Sequence, residues 1–440
     1  MPSDVLIIGA GAAGLSAAIE LARAGLGVEI LEARDRIGGR MFTAVDPVLG
    51  HAIELGAEFV HGLAPEIWQT LQHNNLKVTE VDGDLWCSLD GKLQECNFFS
   101  QADKILEAMD DKRPDETFLD FLARRFPGDS QADAKQWATR YVSGFNAADP
   151  GLVSVHWLVH SRNADEQIEG DRGFHIAGGY QKLVEIFLGE LKRLKVPVHL
   201  KTVVESIRWS RGSVQIRAKA DKKDTSFSVP RALITLPLGV LQAQGSVRFE
   251  PELPAEKQTA LKWLAMGKVV RVTLCFRERF WENLHGMRGS KSLADLSFLF
   301  SRDDFFPTWW TQMPEPLPII TGWAPARSAE SLAGLARPAV IDRAVESLSR
   351  ILQIEQTLVE SQLRTAYFHD WDSDPFSCGA YSYVKAGGEG CQRTLGSPVE
   401  GALFFAGEAT DSSGHNGTVH GAIASGHRAA AEIAKHCGPV

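Results

Sequence analysis

The sequence predicts an α/β fold, a parallel-sheet domain interrupted by a discontinuous α+β domain, and three observations lead there. A short, unbroken apolar run near the start, Val5-Leu6-Ile7-Ile8, passes through a glycine cluster into an alanine-rich amphipathic stretch and then a second apolar run, Val28-Glu29-Ile30-Leu31. Buried-strand and turn signals return far along the chain at Ala232–Gly239 and Leu403–Thr410. Between these lie segments where helical stretches mix with strands. At about 150 residues per domain, 440 residues hold two or three domains. With 44% apolar and 23% charged residues, disordered and fibrous classes drop out.

The opening forty residues supply the first unit. Val5–Ile8 lacks polar alternation, as a strand buried on both faces of a parallel sheet requires. Gly9-Ala10-Gly11-Ala12-Ala13-Gly14 then gives the G-x-G-x-x-G spacing at a strand-to-helix turn. Gly9 permits the turn, Gly11 lets the backbone approach a pyrophosphate, and Gly14 lets the helix pack on the strand with its N-terminus facing the anion. Leu15 to Ala24 is helical in composition, Gly25 stops it, and Glu32 ends the second strand, where a carboxylate can accept both hydroxyls of an adenosine ribose. Three glycines in six residues also serve ordinary turns, but the strand before, the helix after and the acid at this distance favour a Rossmann-like dinucleotide site. An acid at position 32 disfavours NADP. These features fit NAD and FAD alike.

The next segment separates the two. Glu32-Ala33-Arg34-Asp35-Arg36-Ile37-Gly38-Gly39-Arg40 adds a second glycine pair, flanked by arginines that can meet phosphates and by backbone that can lie close to a flavin. Here the sequence resembles the flavin-containing amine oxidase family, most strongly at residues 4 to 62, 232 to 241 and 371 to 428. The resemblance implies FAD in a glutathione-reductase-like (GR2-type) domain, with Gly9, Gly11, Gly14, Glu32, Arg34, Gly38, Gly39 and Arg40 at the cofactor, joined by Gly56, Ala57 and Glu58 from Leu55–Gly62. Near the C-terminus, Leu403–Thr410 and Gly417–Gly426 look like the second flavin-binding stretch. By resemblance, Gly407 lies at the cofactor, Glu408 meets the ribityl chain, the amides near Thr418 and Val419 face the flavin ring, and the backbone of Val204 contacts the adenine. A terminal strand-helix pair that merely closes a sheet is the plainer alternative.

If FAD is the ligand, the flavin performs the redox step and the protein supplies orientation, a dry cavity and electrostatics. Amine oxidation needs the neutral amine, whose lone pair stabilises the developing iminium, so the site must be apolar and lower the substrate's pKa. Trp371 to Tyr381 resembles the family's aromatic approach to the flavin, with Tyr381 as one wall of its cage and Trp371 beside it. Thr418 stands where monoamine oxidases hold a second tyrosine, so the cage is half built, as in the polyamine-oxidase and lysine-demethylase branches. Ala380 stands where monoamine oxidases carry the cysteine bonded to the flavin, which implies non-covalent FAD. Core packing under the sheet is the alternative for both aromatics. His61 matches the His or Glu that polyamine oxidases place at the mouth of the substrate tunnel, where a neutral imidazole can accept a hydrogen bond from an ammonium; a satisfied structural histidine is the alternative. The acidic run Asp165-Glu166-Gln167-Ile168-Glu169 either attracts polyamines near that mouth or is a solvated loop.

The family pattern breaks at one place. The lysine that holds a water near the flavin and assists reaction with oxygen is matched by Arg271, and Lys268 lies on the opposite face of an extended strand. Arginine keeps the charge but does not readily give up a proton. The resemblance implies a small-molecule amine as substrate, an imine product that hydrolyses to an aldehyde, and O2 reduced to peroxide. An amine dehydrogenase or carbon-carbon desaturase with a non-oxygen acceptor is the alternative that Arg271 favours, and a flavin- or NAD-binding protein without turnover is a third.

The chain divides into a cofactor domain at 1–65, 180–250 and 365–440 and a substrate domain at 66–179 and 251–364. No internal repeat or low-complexity linker is evident. The net charge is −9 and no compact basic block stands out, so a nucleic-acid partner is not expected and cationic substrates are tolerated. Six scattered cysteines without C-x-x-C or zinc spacing point to reduced thiols and to no metal site. The early first strand leaves no room for a signal peptide, and no 18-residue stretch is free of charge, so a soluble cytoplasmic protein without a membrane partner is expected. The chain carries no long helical insertion of the kind chromatin demethylases use, so histone substrates are not expected.

Overall fold

The computed structural model describes residues 3–89, 91–129, 131–286 and 291–437. Five parallel strands form the first sheet, in the order Val198–His199, Val28–Leu31, Val5–Ile8, Arg231–Ile234 and Leu403–Phe405. Val5–Ile8 sits at the centre with all four residues buried, which is why its run admits no polar residue. Val5 and Ile7 face the helices Ala12–Arg23, Gln181–Arg193 and Val419–Cys437, which share one apolar cluster. Leu6 and Ile8 face the other way, onto an antiparallel sheet of Thr202–Ser210, Ser213–Ala220 and Lys223–Val229. The first and last helices touch directly: a Cβ added at Gly426 would lie 2.4 Å from the Ala13 carbonyl oxygen.

The second unit is a seven-stranded sheet, in the order Leu363–Phe368, Val269–Phe276, Ile319–Pro325, Thr308–Thr311, Leu296–Ser301, Asp84–Leu89 and Lys92–Glu95. Val269–Phe276 is buried along its whole length. One apolar cluster joins this sheet to the helix Arg337–Leu352. A second gathers the helices Phe98–Leu106, Phe118–Arg125, Ala132–Phe145 and Val155–Gln167. Three of these helices begin at side-chain caps, Asn97 accepting from the Ser100 amide, Thr117 from the Asp120 amide and Ser154 from the Trp157 amide.

The packing crosses the expected domain borders. Ile67, Leu71, Phe174 and Ile176 belong to the same core as Val5 and Leu15, so the chain on either side of 65 and of 180 shares one apolar interior. Leu363–Phe368 pairs with Val269–Phe276, which carries the second unit past residue 364.

The expectation of six reduced thiols fails for two of them. The hairpin formed by Asp84–Leu89 and Lys92–Glu95 brings Cys96 back beside Cys87, with Cα atoms 5.7 Å apart, and the pair forms a disulfide. Motif spacing cannot register such a pairing, because strand register and not sequence distance creates it. Cys275, Cys378, Cys391 and Cys437 are free. Among the described residues, no helix is long and apolar enough to cross a membrane.

Candidate active site

The dinucleotide cradle is built from main chain. Gly9 has φ +111°, and a Cβ at Gly14 would lie 2.0 Å from the Gly9 carbonyl oxygen, so both glycines are fixed by the turn itself. Gly11 differs: a Cβ there would meet nothing within 4 Å. It begins the helix Ala12–Arg23 without a side-chain cap and without an acid in the first turn, leaving the amide dipoles open toward an anion. The second glycine turn closes on the first, with the Gly38 amide donating to the Ala10 carbonyl at 2.8 Å and a Cβ at Gly39 coming within 3.2 Å of the Gly11 Cα. Glu32 is buried at the edge of this cradle, accepting from the Ala10 amide at 2.8 Å and the Arg34 amide at 2.9 Å, and burial raises its pKa. Each oxygen keeps acceptor capacity for a hydroxyl. Beside it the Thr202–Ser210 strand shifts register after Val204, and Arg248–Glu250 pairs only with Ser206–Arg208, so the Val204 edge stays open.

The three arginines of this segment take different places. Arg34 donates to Asp374 at 2.6 Å and lies over Phe376. Arg40 donates to Glu408 at 2.9 Å and to the Ala380 carbonyl at 2.7 Å. Arg36, which sequence reasoning did not single out, donates to the Gly39 carbonyl at 2.9 Å and stacks 3.8 Å over Phe42, yet one guanidinium nitrogen is buried without a partner. Its alternation with Arg34 ahead of the glycine pair was the available signal. An unpaired buried cation nitrogen, an uncapped helix start and the open space at Gly11 together fit a pyrophosphate.

Glu408 fastens the far side. Besides Arg40, it accepts from the Ser382 hydroxyl at 2.6 Å and the Gly417 amide at 2.9 Å, so protein groups occupy both its oxygens. A small pocket lies between Arg40, Gly407, Glu408 and the Leu236–Leu238 turn. Thr418 serves as helix start: its hydroxyl donates to the His415 carbonyl at 2.6 Å and accepts from the Gly421 amide at 3.0 Å. That hydroxyl is committed to the turn that opens Val419–Cys437, at the position where the resemblance leaves the cage half built.

The aromatic face forms around Tyr381. Its hydroxyl donates to the Phe145 carbonyl at 2.8 Å, and a Cβ at Gly417 would come within 3.2 Å of its ring. The Phe145 ring meets His61 edge-on with centroids 5.4 Å apart and stacks on Tyr141 at 5.4 Å. Burial pushes the His61 imidazole down to about 4, so it is neutral at pH 7. Phe145 and Tyr141 carried no motif in the sequence, while the buried His420, held neutral by burial at about 3, lies within the Gly417–Gly426 stretch. Trp371 does not join this wall. It is buried among Phe42, His369 and Arg34, with its indole N–H donating to the Leu55 carbonyl at 2.7 Å. Packing also fixes Gly56, where a Cβ would lie 1.9 Å from the Arg40 carbonyl oxygen, and the Ala57 amide donates to that same oxygen.

Arg271 and Glu58 form a buried pair at 2.6 Å, with side-chain exposures of 5% and 4%. Arg271 also donates to the Gly56 carbonyl at 3.0 Å, while Trp310 and Gln312 complete the Glu58 carboxylate at 3.0 and 3.1 Å. Glu58 therefore serves as the arginine's counter-ion, a partner that sequence reasoning did not supply. Lys268 points away, toward Asp372 at 3.5 Å on the surface.

A family model described as flavin containing amine oxidoreductase matches residues 12–93 and 84–434. Polyamine oxidase 4 of Oryza sativa subsp. japonica is 28% identical, over 99% of this chain and 89% of its own length. Lysine-specific histone demethylase 2 of Homo sapiens is 28% identical over 98% of this chain, which spans 53% of that protein. Among solved structures, a putrescine oxidase bound to putrescine superposes with a TM-score of 0.81 at 20% identity, over 98% of this chain and 99% of that one. Cyclohexylamine oxidase from Brevibacterium oxydans IH-35A does so with 0.79 at 20% identity, over 99% and 100%.

Proposed function

The chain belongs to the flavin-containing amine oxidoreductases, which act on CH–NH groups, and within that family we propose an FAD-dependent oxidase of a primary or secondary amine, polyamine-like or monoamine. For a primary amine, amine, water and O2 yield aldehyde, ammonia and H2O2 by way of an imine that hydrolyses. FAD, bound without a covalent link, supplies the hydride acceptor. Gly11, the Ala12–Arg23 helix start and Arg36 would hold its pyrophosphate, and Glu32 its ribose.

The observation that carries the reading is a neutral aromatic wall beside that cradle. Tyr381, Phe145 and an uncharged His61 surround the place where an amine would lie, and no free charge on them stabilises an ammonium. Such a wall favours the neutral amine that hydride loss requires, and His61 can accept a hydrogen bond from it. Purified protein should be yellow and should bleach anaerobically with amines; colourless protein that refuses added FAD, or flavin that no mono-, di- or polyamine bleaches, rejects the proposal.

A second reading keeps the amine but changes the acceptor. Arg271 is locked to Glu58, so it offers neither a mobile cation nor a proton to reduced oxygen. Stopped-flow mixing of the reduced protein with air separates the two: rapid reoxidation supports the oxidase, and slow reoxidation supports a dehydrogenase.

A further inference from the structure

An alkylamine reaches the protein as an ammonium and must lose a proton before hydride can leave its carbon. Two groups already described cannot keep that proton. Arg271 is itself protonated and bound to Glu58 at 2.6 Å. His61 is held neutral by burial alone and has no acid beside it among the described residues, so it can accept a hydrogen bond but lacks a counter-ion for the proton.

His175 differs. It lies on the strand Gly173–Ile176, which pairs with Val60–His61. Its ring packs on Phe59 at 5.0 Å, and Phe59 also meets His61 at 6.0 Å and Trp310 at 5.7 Å. Its Nδ1 faces Oε1 of Glu58 at 3.8 Å, while its Nε2 is buried without a partner. A carboxylate beside Nδ1 favours the tautomer with the proton there and leaves Nε2 as a bare acceptor. The same carboxylate stabilises the imidazolium once Nε2 is protonated, the logic of a base oriented by a third group. Burial holds the His175 pKa below the ordinary histidine value, against the pull of Glu58 and Glu315, so the ring is neutral and able to accept at pH 7.

An exit lies on the same side. His51 and Glu315 stand 3.8 Å apart, the first half-buried and the second exposed, and with Glu58 and Arg271 they are the groups that act on the charge of His175. Glu54, the other titratable acid of this neighbourhood, is sealed: it is buried and accepts from the Thr43 hydroxyl at 2.7 Å and the Tyr180 amide at 2.6 Å.

We propose that His175 is the base that receives the substrate's ammonium proton: the N–H bond breaks, its electron pair stays on the amine nitrogen, the proton joins Nε2, and the imidazolium rests against Glu58 until the proton passes to water by way of His51 and Glu315. This rests on the amine-oxidising reading above and names the residue that prepares its substrate. His175→Gln and His175→Asn keep a polar side chain but no base. In anaerobic stopped flow with an alkylamine, both should reduce the flavin more slowly than the parent protein near pH 7, by about tenfold or more. That gap should narrow as the pH rises toward about 10, where the amine increasingly arrives neutral. A purely structural loss would leave the gap the same at every pH. In the oxidised, substrate-free protein, nitrogen-15 NMR of labelled histidines, with the His175 signals identified by their loss in either variant, should show Nδ1 protonated and Nε2 bare. A gap that does not change with pH, no gap at pH 7, or a proton on Nε2 overturns the assignment while the amine oxidase stands. If no amine reduces the flavin of the parent protein, both fall.

Discussion

The cofactor face and the amine face are built by different means. The cradle is main chain, laid down within the first forty residues, and its shape depends on where side chains are missing. The amine face is made of side chains drawn from positions 61, 145, 271 and 381 and held together by partners equally far apart. Charge is handled differently as well. Glu32 accepts two amides and keeps capacity for a ligand, whereas Glu58 is closed off by Arg271, Trp310 and Gln312. A site of backbone tolerates almost any change except an added carbon, and a site of buried side chains tolerates carbon but not an unbalanced charge.

Four variants test that contrast. The largest effect is expected at Glu58→Ala, which strands the Arg271 guanidinium in a dry interior and should cost about 3–5 kcal/mol in urea denaturation. The double change Glu58→Leu with Arg271→Met should regain most of that loss; equal losses in single and double variants would mean the pair is not the source. On the other face, Gly14→Ala forces a carbon into the Gly9 carbonyl and should lose about 1–3 kcal/mol of stability. Gly11→Val, which enters open space, should keep the apoprotein's denaturation midpoint yet weaken FAD retention at least about tenfold, or about 1.4 kcal/mol. If both substitutions reduce stability alike, the space at Gly11 is not reserved for a ligand.

A subtler prediction concerns Glu54, whose neighbourhood includes Arg271 and Glu58. Burial raises its pKa from 4.5 to about 7, so between those values the folded protein binds more protons than the unfolded chain. Its contribution to stability is fully present below 4.5 and is lost as the pH rises through 7. Glu54→Gln should flatten the fall in denaturation midpoint across that window, and an unchanged slope would assign the fall elsewhere. The smallest effect is expected for Tyr381→Phe. It removes one hydrogen bond to Phe145, worth about 1 kcal/mol, and should appear as a few-fold rise in the amine concentration that half-saturates flavin reduction.

These effects also mark what the sequence made legible. The central strand, the first helix and the closing strand-helix pair were readable because period and glycine spacing are local properties of the chain. Glu32 and Gly11 were readable for the same reason. Trp371 was read as part of the aromatic approach to the flavin, with core packing as the alternative, and a tryptophan's packing side depends on which segments fold over it, here Phe42 and His369. Thr418 was placed by analogy with a tyrosine, yet a threonine just before a helix has a competing use as its cap. Phe145, Tyr141 and the ion pair of Arg271 with Glu58 had no local signature, since only tertiary contact defines them. The Cys87–Cys96 bridge escaped for the same reason.

The contact between Ala13 and Gly426 has a consequence for how the protein comes into being. Ala13 and Gly426, on the two helices that brace the nucleotide cradle, lie more than four hundred positions apart in the chain, and Leu403–Phe405 supplies an outer strand of its sheet. A growing chain emerging from the ribosome carries the glycine turns first but lacks the brace until Val419–Cys437 has been made. Cofactor capture therefore waits for Leu403–Phe405 and Val419–Cys437, and chains cut before these segments should emerge without flavin however intact their first hundred residues are.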